Sequence, residues 1–163
     1  MLRVVKLFLV FTLFLAQSCK TKVETALEGT WSIDTIYYKG YNSRLCFYSN
    51  IVTFYDNGNI KLPYAGNRCP ELISHSDDVN GIWILETGNE SKADYPYKLK
   101  ITTKNEVFSG SHYLLFYTDD VNNLLKFRFF SDSLIVIGRK GLFNYNKKIV
   151  EELAKETSLV NNE

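Results

Sequence analysis

Eight short apolar runs, several joined by only a few residues, confine most of this chain to an antiparallel sheet. Ser131-Asp132-Ser133 separates two of them, whereas parallel neighbours need a crossover of about a dozen residues or more. The runs are Trp31 to Lys39, Ser49 to Tyr55, Ile60 to Leu62, Gly81 to Glu86, Tyr95 to Thr102, Ser111 to Thr118, Leu124 to Ser131 and Ser133 to Arg139. Asp56-Asn57-Gly58-Asn59 links the second to the third as a hairpin, because Asn and Gly tolerate the positive φ of a tight turn. In the fifth run Tyr95, Tyr97, Leu99 and Ile101 share one face and Lys98, Lys100 and Thr102 the other. In the seventh, Leu125, Phe127 and Phe129 oppose Lys126 and Arg128. An open sheet of this size leaves two edges, and closure into an eight-stranded barrel removes both.

Composition agrees. Eleven Tyr and eleven Phe suit strands better than helices, and one amphipathic helix is expected, at about Tyr145 to Thr157. There Ile149, Val150, Leu153, Ala154 and Thr157 form a stripe, with Lys148–Glu152 and Glu151–Lys155 on the wet side. This helix should pack outside the sheet, with residues 159–163 a disordered tail. The barrel and its helix occupy about 27–158, a single domain.

The first eighteen residues read as an address. Arg3 and Lys6 precede the apolar run Leu7 to Ala16, which is too short for a permanent membrane span and the right length for a signal peptide. Ala16-Gln17-Ser18-Cys19 resembles a bacterial lipoprotein signal, which implies that Cys19 is acylated and becomes the first residue of the mature chain. Residues 19–26 read as a polar tether. Loss of Arg3 and Lys6 takes the formal charge from +1 to about −1, without the basic patch that nucleic-acid binding needs.

Gly29-Thr30-Trp31 at the first strand resembles the opening motif of lipocalins. Thr118-Asp119, with Asp120 where that family has tyrosine, resembles the second motif. Arg139 at the last strand matches the third, whose arginine lies across the tryptophan. Together with the outer helix, these residues make 27–157 similar to the lipocalin-like domains of bacterial lipoproteins. The resemblance implies an all-β, eight-stranded up-and-down barrel, with Trp31 stacked on Arg139.

Cys46 and Cys69 remain as an even pair once Cys19 carries lipid. In an oxidising envelope they would form a disulfide; two buried free thiols are the alternative. Glu71, His75, Asp77 and Asp78 share a loop, but charge in a wet loop is ordinary, and no metal site is assigned. His112 beside Ser109 and Ser111 lacks the elbow and orienting acid of a nucleophilic triad. No phosphate loop or dinucleotide fingerprint occurs. Neither a cofactor nor an enzymatic activity is therefore expected.

Tyr97, Leu99, Phe127 and Phe129 would line a cavity for a small apolar ligand, with Tyr113 and Tyr117 adding hydroxyls, or would simply fill the barrel. A protein-interaction module, such as an envelope inhibitor or immunity protein, is the other reading. Its contacts would gather around Tyr37, Tyr38, Tyr41 and Tyr48, since tyrosine is enriched in interface cores. In either case the expected location is the cell envelope, held by lipid at the outer membrane. Cys19→Ser should leave the protein folded but release it from the membrane pellet on fractionation; a variant that still pellets would remove the anchor.

Overall fold

In a computed structural model, residues 20–65, 69, 78–87, 97–119, 121–141 and 152 are described. Helix α1 (Lys22–Leu27) leads into β1 (Gly29–Tyr38), followed by the two-residue β2 (Tyr41–Asn42) and a 3-10 turn (Arg44–Cys46). Then come β3 (Ile51–Phe54), β4 (Asn59–Lys61), β5 (Asn80–Thr87), β6 (Tyr97–Thr102), β7 (Gly110–Asp119), β8 (Leu124–Phe130) and β9 (Leu134–Gly141). Every pairing is antiparallel: β1 pairs with β2, β3 and β9, and from β3 onward each strand pairs with the next. With β2 a stub on the end of β1, the ring has eight strands. This is the closed barrel expected from the short connections, and it is consistent with a lipocalin-like architecture.

Closure is managed by β1, which spans two partners. Gly29 to Ser32 pairs with β3, and Ser32 to Tyr38 with β9. A bulge between Ile33 and Thr35 interrupts the second register. It shifts the side-chain alternation by one, so Trp31 and Ile33 face inward before it and Ile36 and Tyr38 after it. An unbulged strand of period two would turn one of those pairs to water. The displaced Asp34 lies on the outside, 3.0 Å from Arg139 Nε.

The tether expected at 19–26 is largely replaced by α1. Val23, Ala26 and Leu27 are buried, at the i, i+3, i+4 spacing of one helix face. Thr21 and Glu24 form a capping box: Glu24 N donates to Thr21 Oγ1 (3.2 Å) and Thr21 N to Glu24 Oε2 (2.7 Å). Six residues are too few for a stable helix alone, so the apolar face packed on the barrel sustains it. Gly29, at φ +102°, turns the chain from this helix into β1. The expected C-terminal helix lies outside the described residues, apart from Glu152, which is helical and meets Lys22 Nζ at 2.5 Å.

Inside, aromatic rings stack through the barrel. Phe127 meets Trp31 at 4.6 Å, Phe129 at 5.5 Å and Phe54 at 6.2 Å between centroids. Phe54 in turn meets Trp83 at 5.6 Å. Cys46 and Cys69 are joined in a disulfide with Cα atoms 5.4 Å apart, tying the 3-10 turn to the chain beyond β4. Across its 23-residue separation, chain entropy alone makes that closure worth roughly 3 kcal/mol.

Gly138 on β9 shows how tightly the interior is filled. A Cβ built there would lie 2.6 Å from Phe127 Cζ and 2.8 Å from its Cε1. Gly138→Ala should therefore cost about 1–3 kcal/mol by overpacking, read from urea unfolding. Phe127→Leu in the same chain should recover part of that loss; purely additive losses would mean the ring does not fill this position.

Candidate functional site

The residues expected to line a cavity do converge. Leu99, Phe127 and Phe129 are fully buried on the inner face, and Tyr97 is half-buried against the same core. Phe127 and Phe129 stack on each other with centroids 5.5 Å apart. At the end where β1 begins, the base, α1 covers the opening with Val23, Ala26 and Leu27. At the far end Phe47 and Phe108 meet edge to face at 5.6 Å, and both are buried beside Cys46, Leu62, Ala65 and Val107. Among the described residues the barrel is thus filled at its centre and covered at both ends.

Two of the hydroxyls expected inside are outside. β7 turns His112, Leu114 and Phe116 inward. Tyr113 and Tyr117 alternate with them: Tyr113 packs under Lys98 and beside Phe130, and Tyr117 is exposed. The inward polar group on this strand is His112, which had no assigned role in the sequence. It is buried, with Nε2 3.0 Å from Phe108 O. A carbonyl only accepts, so Nε2 carries the proton. Burial lowers the pKa of the ring, against the opposing pull of that hydrogen bond. The neutral tautomer leaves the Nδ1 lone pair buried without a protein partner, beside Phe129 at 5.4 Å.

The cation across Trp31 is Lys140, not Arg139. Inward positions on β9 are Leu134, Val136, Gly138 and Lys140; Arg139 alternates with them and is exposed, paired with Asp34. Lys140 Nζ sits 4.2 Å from the Trp31 ring centroid and donates to Ala26 O (2.7 Å) and Glu28 O (2.8 Å). Trp31 Nε1 donates to Leu27 O at 2.6 Å. One aromatic and one ammonium therefore take three carbonyls at the C-terminal end of α1, where cations are favoured. Burial pushes Lys140 down to about 8, with Glu28 pulling the other way.

Thr118 and Asp119, the other family-like pair, end β7 at the base. Asp119 accepts from Lys126 Nζ (2.9 Å), Asn122 Nδ2 and Asn122 N, and these bonds hold its carboxyl down at about 2. Its visible work is to close the β7–β8 turn. Glu71, His75 and Asp77 lie outside the described residues, as does Cys19. Asp78 accepts Asn80 N and caps its own turn. Among the described residues no group of three potential metal ligands occurs, and no helix is long and apolar enough to cross a membrane.

Among the described residues one group of exposed large apolar side chains gathers at the far rim. Tyr41 is 66% and Leu45 81% exposed, and Tyr37, Tyr48 and Tyr64 are exposed as well. Tyr48 and Tyr64 stack at 5.8 Å, and Tyr48 N donates to Tyr64 O. The disulfide lies in the same segment, at Cys46. Of the tyrosines expected there, Tyr38 is the exception, because the bulge in β1 turns it into the core. Leu45 and Tyr64 join the set only through the fold. Compared with protein-family models, curated proteins and solved structures, the chain finds no match.

Lys140 makes the base pH-sensitive in a defined direction. Its folded pKa of about 8 lies below the ordinary 10.5, so between those values the unfolded chain binds more protons and stability rises with pH. The stability of the native protein relative to Lys140→Met should increase as pH is raised from 8 to 10 in urea titrations. A difference independent of pH would place the ammonium in water.

Proposed function

We propose that this protein is a lipid-anchored component of the bacterial envelope whose solid barrel presents the tyrosine rim to a protein partner. The observation that carries the reading is a contrast. Large aromatics fill the centre of the barrel and both ends are covered, while Tyr37, Tyr41, Leu45, Tyr48 and Tyr64 stay exposed together at one end. Tyrosine supplies broad contact area at small conformational cost, and a disulfide beside the patch reduces what binding must order. Position supports it too. The chain enters at the base, so an anchor on Cys19 leaves the opposite rim unobstructed.

A small apolar ligand is the second reading, and His112 is the observation that favours it. A buried acceptor without a partner costs roughly 1–3 kcal/mol, and a hydroxyl-bearing guest or a water would relieve it. Such a guest needs the Phe47–Phe108 cover to move.

The two readings separate by experiment. A photo-crosslinking residue at Tyr41 or Leu45, in living cells, should give a discrete protein adduct that the same residue at Val121, on the β7–β8 turn, does not. Tyr48→Ala should reduce the adduct with little loss of stability. Equal adducts at all three positions would remove the rim as the site, and tight binding of a fluorescent fatty-acid probe, lost in Leu99→Trp, would favour the ligand.

A further inference from the structure

The outer wall of β5 carries a second apolar surface. Ile82 and Ile84 are 53% and 55% exposed, and Tyr55, at the start of the β3–β4 turn, is exposed beside them. β4 is short: it pairs only with Asn80 to Ile82, and below it a single bond, Trp83 N to Gly58 O, continues the ladder. A groove of about 290 Å³ opens there, lined by Lys20, Glu24, Glu28, Asp56, Gly58, Trp83 and Ile84. Lys20 is one peptide bond from Cys19. The wall is therefore joined directly to the position that would carry lipid.

We infer that this wall rests on the bilayer headgroups once the chain is anchored, so that the barrel lies on its side; the inference rests on the lipid-anchor reading. Its chemistry suits that surface. The two isoleucines project at alternate positions of one strand, Lys61 and Lys100 are exposed on the neighbouring strands, and Lys98 lies over Tyr113. Aliphatic side chains in a shallow row with lysines beside them suit the boundary of headgroups and acyl chains, where isoleucines enter and ammoniums reach phosphates. Carboxylates share the wall: Glu86 lies 3.9 Å from Lys100, Glu28 pairs with Lys20, and Asp56 and Glu24 line the groove, so the contact is carried by apolar surface rather than by net charge. An anchor one residue away holds the bilayer at high effective concentration, so a surface too weak to bind alone still engages. The tyrosine rim then faces along the membrane, toward partners held at the same surface.

The test uses protein purified from the envelope, its mass showing whether Cys19 is acylated. If it is, the protein is reconstituted directly; if not, its Cys19 thiol is coupled to a maleimide lipid, so that the wall is tested apart from the anchor reading. The vesicles are phosphatidylethanolamine and phosphatidylglycerol with brominated acyl chains. Emission from Ile84→Trp, after subtraction of the unsubstituted chain, should be quenched several-fold more than that from Leu45→Trp at the rim. Both sites are exposed, so neither change disturbs the core. Equal quenching would overturn the proposal, as would a concentration-dependent blue shift of the Ile84→Trp protein without vesicles, which would make the wall an interface between two copies.

Discussion

The indole of Trp31 is the contact on which the rest of the structure depends. Its ring packs against Phe127 in the barrel centre, its N–H holds Leu27 at the end of α1, and its face takes the Lys140 ammonium from the closing strand. Helix, first strand and last strand meet at one side chain. Even a partly buried ammonium is costly. Here two carbonyls and a ring face, the latter worth about 0.5–2 kcal/mol, offset part of the cost, and the lowered pKa records the remainder.

The bulge at Asp34 is the second constraint. Without it β1 could present either Trp31 and Ile33 or Ile36 and Tyr38 to the interior, but not all four. The extra residue keeps both pairs inside, puts Asp34 beside Arg139, and turns Tyr37 outward to the rim. Core packing and the proposed binding surface are thus set by the same local irregularity. They are not independent properties of the barrel.

Function follows from where apolar surface is hidden and where it is left. The barrel spends its largest side chains on its own interior, which argues for surface recognition over encapsulation. Inside the core His112 stands apart, its Nδ1 unsatisfied beside Phe129. The rim and the β5 wall are distinct surfaces, one at the far end and the other running down to the base. A protein held at both would have its orientation set as well as its location.

Much of this was determined by the sequence alone. Short connections dictated antiparallel neighbours, alternation grouped the residues of β6 and β8 by face, and the expected pairing of Cys46 with Cys69 matched the disulfide. In the sequence the helix α1 reads as tether, although Thr21-Lys22-Val23-Glu24 has capping-box spacing and is followed by the buried Ala26 and Leu27. Register was a different matter. Alternation along a strand says which residues share a face, not which face turns inward, and a one-residue difference exchanges Arg139 for Lys140 over Trp31 and moves Tyr113 and Tyr117 outside. That choice belongs to strand pairing across the closed ring and to the bulge, which depend on contacts distant in sequence. Whether the barrel is filled was equally beyond the sequence, because Gly138 and Phe127 are complementary only once β8 and β9 lie side by side.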